Sequence, residues 1–295
     1  MKRVFIRSKE FVSIKDEKNA LKLRNAIDKT QNLISVDEIE SLIFQKQDSY
    51  LSTELIVKFL ERDIPILFCD EKYRPVSRLA ASKDIELLFA QISCSNKMND
   101  RLWQGIVKEK IDNQRACLLQ ISDKTKSAAG HLLSLKKQVL QGDPKNIEGQ
   151  AAKAYFSALF GQKFKRGRYD DPLNSALNYG YALLRSKIQQ ELILAGFEPS
   201  IGIHHMSEKN PYNLADDVIE GLRPFIDEIV FREVYLMKAS GLTSEIKQSL
   251  FHVFARKCLW AGRCLTVKEA LLLTVQSLER CYRKDSSKLL VPKFI

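Results

Sequence analysis

Residues 64–93, IPILFCDEKYRPVSRLAASKDIELLFAQIS, mark the place where the chain changes its hydrophobic period. On the N-terminal side IPILFCD is a short run of β-branched and aromatic residues closed by polar ones, the pattern of a strand. From about residue 85 onward apolar residues recur at helical spacing instead. Working back toward the start, RVFIRS, FVSIKD, ALKLRN and LISVDEIESLIF predict further strands, separated by polar turns such as DEKN at 16–19. One helix interrupts them: Thr53 is placed to cap ELIVKFLERD, whose Leu55, Ile56, Phe59 and Leu60 form an apolar stripe suited to cover a sheet. Working forward, helices are predicted at 84–95, 98–120, 124–140, 144–160, 172–195, 213–221, 223–239, 243–258 and 266–282. Asp143-Pro144 and Asp171-Pro172 supply helix starts, and Gly161 and Gly196 supply stops. The expected fold class is α+β: a small N-terminal β-rich domain over residues 1–82, followed by a larger all-α domain over residues 83–295.

A chain of 295 residues is long enough for two such cores. No run of about 18 apolar residues occurs, so no membrane span is expected. MKRVFIRSKE lacks the apolar centre of a signal peptide, which makes the cytoplasm the default location. The six cysteines are scattered with no CxxC pair, which argues against a zinc site and for reduced thiols. Net charge is +11, made of +2 on residues 1–80 and +9 on residues 81–295. A polyanion such as nucleic acid or a membrane surface is the partner this charge suits, above all in the C-terminal part; solubility alone also produces basic proteins.

The stretch with the most chemistry is GIHHMSEKNPYNLADDVIEGLRPFID at 202–227. Asn213 is placed to cap a helix whose first turn holds Asp216 and Asp217, while Val218, Ile219 and Leu222 can face a core. Asp217 and Glu220 stand at i and i+3 and so share a helical face, which His205 on the incoming extended segment can reach. A histidine with two carboxylates suits Mg²⁺ or Mn²⁺, although acidic residues in a first turn also complement the helix dipole with no ligand at all. Neighbours in an extended segment point to opposite sides, so only one of His204 and His205 can face an ion. Glu148, in NIEGQAAKAYFSALFG, is the best third carboxylate because it falls on the same inward face as Ala151, Ala152, Tyr155 and Leu159; the alternative is a first-turn glutamate paired with a lysine. Lys163, Lys165, Arg166 and Arg168 in QKFKRGRYDD form a basic loop that either holds DNA phosphates or is simply solvated. Arg223 can bind phosphate or pair with Glu220.

Taken in order, EGQAAKAYF, DPLNSALNYGYALL and GFEPSIGIHHMSEKNPYNLADDVIEGLRPFID resemble the signature of the CRISPR-associated integrase-nucleases, the universal spacer-acquisition proteins. RVFIRSKE, IPILFCDEKYRPV and LWQGIVKEKIDNQ extend the likeness over nearly the whole chain, toward the version that accompanies type II effectors. The resemblance implies a Mg²⁺- or Mn²⁺-dependent DNA endonuclease and integrase with Glu148, His205 and Glu220 as metal and catalytic residues and Asp217 as a further acidic catalytic position. It places the ligand at His205 rather than His204, and Asn174, Asn178 and Tyr179 match a family motif. It implies a homodimer working on double-stranded DNA, the incoming segment and the CRISPR repeat, with a small ferredoxin-like CRISPR-associated partner protein and in some settings the type II effector nuclease. The chain departs from many members in having Gly221 where they have proline and Asn213-Leu214 where they have Ser-Leu, and neither change removes a ligand. A branched-DNA repair nuclease and a non-catalytic DNA-binding scaffold of the adaptation complex are the competing readings.

Overall fold

The computed structural model describes residues 2–6, 10–15, 20–25, 29–45, 49–80, 84–284, 286 and 288–295. The chain divides into two compact units, Met1–Ile85 with Leu192–Phe197, and Glu86–Glu191 with Glu198–Ile295. The strand-rich region is followed by a mostly helical one, an α+β arrangement. The expected boundary between residues 82 and 83 and the expected turn at 16–19 lie outside the described residues.

The first unit holds two four-stranded sheets. One is β1 (Lys2–Ile6), β5 (Ile39–Phe44), β7 (Ile66–Cys69) and β8 (Pro75–Leu79) in the order β1-β5-β7-β8; the other is β4 (Gln31–Ser35), β3 (Ala20–Asn25), β2 (Glu10–Lys15) and β6 (Tyr50–Leu51) in the order β4-β3-β2-β6. LISVDEIESLIF is therefore not one strand: a short 3-10 turn at Val36–Glu38 lets the chain leave one sheet at Ser35 and enter the other at Ile39. β5 is central, parallel to β1 and β7, and buried at Ile39 and from Ser41 to Phe44, the near-continuous apolar run of a parallel strand covered on both faces. Helix α1 (Thr53–Leu60) places Leu55 and Phe59 in the same core as Val4, Leu21, Val36 and Leu42. Its cap is Ser52, whose hydroxyl accepts from the Leu55 N–H at 3.2 Å, so the helix begins at Thr53 rather than after it. On the other face of the sheet, Ile193 and Leu194 pack on Ile43, Leu67 and Cys69, which is why a short helical segment from late in the chain belongs to this unit. Strand β8 opens on a proline and exposes Val76 and Ser77, a polar edge strand that lacks the apolar run of its neighbours.

The second unit is organised on α3 (Asn96–Ile121), preceded by α2 (Ile85–Ile92). Around α3 pack α4 (Lys126–Lys136), α5 (Ile147–Phe160), α7 (Asn213–Ile219), α8 (Arg223–Val230) and the 3-10 turn Glu220–Leu222 that links the last two. Helix α6 (Pro172–Leu194) joins α5 to the 202–206 segment through its C-terminal loop, and α9 (Ser244–Phe251) and α10 (Val267–Tyr282) follow. The all-α expectation needs one correction. Residues 257–266 form a hairpin, β9 (Lys257–Trp260) and β10 (Arg263–Thr266), where the helical period over 243–258 stops early at Phe251. Its two-residue turn, Ala261-Gly262, has φ of 50° and 81°, the doubly positive conformation that fits the twist of paired strands. The C-terminal tail bridges to this hairpin at Leu259 and Lys293 and passes close to Gly221, where an added Cβ would stand 2.6 Å from Val291. Packing of the tail thus accounts for glycine at this position.

Candidate active site

Three local devices bring the charged residues of the second unit to defined places. At the start of α5, Asn146 adopts a left-handed conformation (φ 48°) and caps Gly149, while the Asp143 carboxylate accepts from the N–H groups of Ile147 and Glu148 at 2.9 and 2.8 Å. Asp143 therefore serves the helix from the preceding turn rather than as its immediate cap. In the second device Asp217, fully buried on α7, accepts from the backbone N–H of Ile203 at 2.6 Å, His204 at 2.9 Å and His205 at 3.2 Å. Gly202 makes that wrap possible, since a Cβ there would lie 2.1 Å from the His205 carbonyl oxygen. In the third, α7 ends at Ile219 and the Glu220–Leu222 turn carries Glu220 toward α3. Asn113 on α3 clamps this turn by donating to the Gly221 carbonyl at 2.7 Å and to Pro292 at 2.8 Å. Asn213, expected as a helix cap, is instead buried and donates to the carbonyls of Ser200 and Ser207 at 2.9 and 2.8 Å, stitching the incoming loop to α7.

Glu148 and Glu220 converge although 72 positions separate them, and a cation stands between them: the Lys110 ammonium from α3 is hydrogen-bonded to Glu148 Oε1 and, at 2.5 Å, to Glu220 Oε2. Lys110 and Glu220 side chains are each 7% exposed and Glu148 is 27% exposed. Burial pulls the Lys110 ammonium down, but Glu220 and Glu148 outweigh it and hold the group above the ordinary lysine range. Burial likewise pushes Glu220 up, and Arg223 and Lys110 together overcome it, so this carboxyl lies below its usual range and is ionised. Arg223 pairs with the other oxygen, Glu220 Oε1, at 2.7 Å and stacks over Tyr181 at 4.6 Å, the pairing that is one of its two expected roles.

The two histidines do different things. His204 lies flat on the Trp103 indole, ring centroids 4.2 Å apart with an interplanar angle of 1°. His205 stands edge-on to the same indole and binds Asp217 Oδ1 through Nδ1 at 2.6 Å. That hydrogen bond, opposed by partial burial, raises the imidazole above its ordinary range. With its proton held at Nδ1, the neutral ring keeps its lone pair on Nε2, the form in which imidazole binds metal. Asp217 thus turns to the loop and to His205, whereas Glu220 turns to Lys110, so the expected common face of the pair is divided between two tasks. Among the described residues no three His, Cys, Asp or Glu side chains are gathered as a metal-binding group. The donor chemistry nevertheless fits a divalent cation: two carboxylates already share one ammonium, and an imidazole oriented by a carboxylate lies within the electrostatic reach of Glu220.

Lys110 escapes the sequence reading, yet a signal is present. Trp103, Ile106, Val107, Lys110, Ile111 and Gln114 are all buried on α3, so the lysine occupies an apolar stripe at helical spacing. The basic loop is also divided. Lys163, Lys165 and Arg168 are exposed, but Arg166 donates to Asn174 Oδ1 at 3.0 Å and Asn178 Oδ1 at 2.8 Å and stacks over Tyr181. Asn174, itself buried, also accepts from the Gly167 N–H and donates to the Lys165 carbonyl, each at 2.9 Å, so this asparagine shapes the loop.

Behind the site, Asp227 is buried and receives the Tyr181 hydroxyl; burial pushes its carboxyl up to about 7. The folded protein then holds a proton on Asp227 up to about pH 7, whereas the unfolded chain releases it near 3.8. Between those values the folded state binds more protons, so stability falls as pH rises through this window and is level above it. Asp227→Asn should remove this slope: the stability of the variant relative to the parent should rise with pH, by at most about 1.4 kcal/mol per pH unit, between pH 4 and 7. Urea unfolding at several pH values measures it, and a pH-independent difference would place the Asp227 carboxyl outside this range.

The profile of the family described as CRISPR associated protein Cas1 matches residues 5–246. A CRISPR-associated endonuclease Cas1 from Neisseria meningitidis is 37% identical over 225 residues, covering 74% of this chain and 72% of that protein. One from Francisella tularensis subsp. novicida is 28% identical over 288 residues, covering 86% and 88%. Among solved structures, a chain of a partial Cas6-RT-Cas1–Cas2 complex superposes with a TM-score of 0.75 at 18% identity, covering 100% of this chain and 99% of that one. A casposase bound to integration product superposes with a TM-score of 0.73 at 16% identity, covering 98% and 97%.

Proposed function

Because this chain belongs to the Cas1 family of CRISPR-associated proteins, we propose that it is a DNA endonuclease and integrase that inserts new spacers into a CRISPR array, with Mg²⁺ or Mn²⁺ held by Glu148, Glu220 and His205. The observation that carries this reading is the convergence of the Glu148 and Glu220 carboxylates on one cation; a histidine oriented by Asp217 lies within the electrostatic reach of Glu220. A divalent ion at that point would supply charge neutralisation for a phosphodiester under attack and stabilise the entering and leaving oxygens. In strand transfer the 3′-hydroxyl of the incoming DNA forms a bond to phosphorus as the repeat-boundary P–O3′ bond breaks; the entering hydroxyl loses its proton and the leaving oxygen gains one. When water replaces the hydroxyl, the outcome is cleavage. Asp217 holds His205 in one tautomer, Arg223 fixes the second oxygen of Glu220, and Asn113 fixes the turn that bears it. The Lys110–Glu148 pair also matches the structural alternative of a first-turn glutamate paired with a lysine, and what favours the catalytic reading over a DNA-binding scaffold is that two carboxylates share one cation, together with a neighbouring fold solved as a casposase bound to its integration product.

The partners proposed with this activity are double-stranded DNA, a second copy of the chain joined through the β-rich region, and a small CRISPR-associated protein of ferredoxin-like fold; a relative of similar fold is solved with Cas2. The type II effector nuclease is a further partner, suggested by the sequence likeness. No described helix is long and apolar enough to cross a membrane. The testing experiment incubates the protein and its small partner with DNA bearing a 3′-hydroxyl and a CRISPR repeat, in Mg²⁺ or Mn²⁺ and then in chelator. Joining at the repeat end that stops on chelation is expected. Efficient cutting of branched DNA with no joining would favour a repair nuclease.

DNA phosphates are expected at the exposed cations of the 161–171 loop. Substituting Lys163, Lys165 and Arg168 by Ala should flatten the dependence of log affinity on log salt by roughly 0.7 to 0.9 for each phosphate that no longer has a basic side chain beside it. Arg166→Ala should instead lower stability, because its guanidinium fastens the loop to Asn174 and Asn178. Fluorescence polarisation at several salt concentrations reads the slope, and an unchanged slope would move the DNA path elsewhere.

A further inference from the structure

The position between Glu148 and Glu220 already holds a charge, and it comes from the chain itself. Lys110 projects from the buried face of α3, one helical turn before the Asn113 that clamps the Gly221 carbonyl. Its ammonium bonds one oxygen of each carboxylate. Two carboxylates that share one ammonium repel one another, and the buried Glu220 above all would be costly to keep ionised without a cation. A lysine meets that need reversibly: its charge is compact and sits on a flexible four-carbon stem, unlike the rigid fork of an arginine. Arg223 remains on the other oxygen of Glu220 and does not compete for the shared position.

Building on the metal-dependent reading above, we propose that Lys110 is the built-in counter-ion of the metal centre: it holds Glu148 and Glu220 in place in the cation-free protein, and a divalent ion obtains both carboxylates only by displacing it. Lys110 is then a positioning residue that sets how tightly and how reversibly the centre loads. A purely structural lysine would make a different prediction, because its loss would loosen the carboxylates and weaken ion binding. A counter-ion that must be displaced makes its loss strengthen ion binding while weakening the empty protein.

The test titrates the chelator-treated full-length protein with Mn²⁺, following free Mn²⁺ by electron paramagnetic resonance, for the parent, Lys110→Met and Lys110→Gln. Both variants should bind Mn²⁺ at least about tenfold more tightly than the parent, since a buried competing charge has been removed. Both should unfold at lower temperature in chelator and gain more from added Mn²⁺ than the parent does. A variant that folds only when Mn²⁺ is supplied supports the inference in its strongest form. Mn²⁺ affinity equal to or below that of the parent in the folded variants overturns it, as does failure of both variants to fold even with Mn²⁺. Binding by the parent that is insensitive to Lys110 leaves the metal-dependent reading standing, whereas no Mn²⁺ binding by any of the three proteins overturns that reading itself.

Discussion

Glu148→Gln should reduce joining of a DNA 3′-hydroxyl to the repeat end by on the order of 10²- to 10³-fold or more, the scale seen when one group that stabilises transition-state charge is removed. Its thermal stability should change little: Glu148 is partly exposed, and Lys110 keeps Glu220 as partner. Glu220→Ala should lose the same activity and also stability. Its carboxylate is buried against two cations, and removing it leaves Lys110 and Arg223 without their shared partner, a change that costs about 3–5 kcal/mol for a buried pair. DNA binding should survive in both variants, because exposed basic residues supply most of the attraction. Gel-based joining assays, thermal unfolding and fluorescence polarisation separate the three effects. Full joining by Glu148→Gln would remove Glu148 from the mechanism.

Asp217→Ala should be as damaging, by another route. The carboxylate accepts from three backbone N–H groups of the 203–205 loop and from the His205 ring, so its loss strands the buried Ile203 donor, leaves the two histidine N–H groups to water and frees the imidazole. One buried unpaired donor at roughly 1–3 kcal/mol, with the lost tie between loop and helix, makes a stability loss of a few kcal/mol the expected result. Loss of the orienting carboxylate should lower metal affinity or joining by about 10- to 100-fold even where the variant stays folded. His205→Ala should abolish joining, while His204→Ala should retain much of it and lose only the stacking on Trp103, about 1 kcal/mol. Activity lost in His204→Ala but kept in His205→Ala would shift the ligand by one position.

Much of this site is legible in the sequence as an order of motifs and not as a set of neighbours in space. The first and third of the ordered motifs name Glu148, His205, Asp217 and Glu220, because residue type and spacing survive in a linear string. Helical period also places α1, α3, α6 and α10 within a few residues of their observed bounds, since an amphipathic stripe records which face will be buried. The hairpin at 257–266 escapes such a reading because its strands are only four residues long and follow a helical pattern directly. The crossing from one sheet to the other at Val36 escapes it because both flanking segments have strand character.

Which atoms meet was decided only by tertiary structure. Sequence could place Asp217 and Glu220 on one helical face but not foresee that the helix ends at Ile219, that Asp217 is drawn to the N–H groups of a distant loop, and that Glu220 is turned toward Lys110. Nor could it separate Arg166, held by Asn174 and Asn178, from the exposed cations beside it. The physical reason is common to all of these. Local propensity and periodicity are properties of neighbours in the chain, whereas the partner of a buried charge is whichever opposite charge or hydrogen-bond donor the packing of other elements leaves within reach.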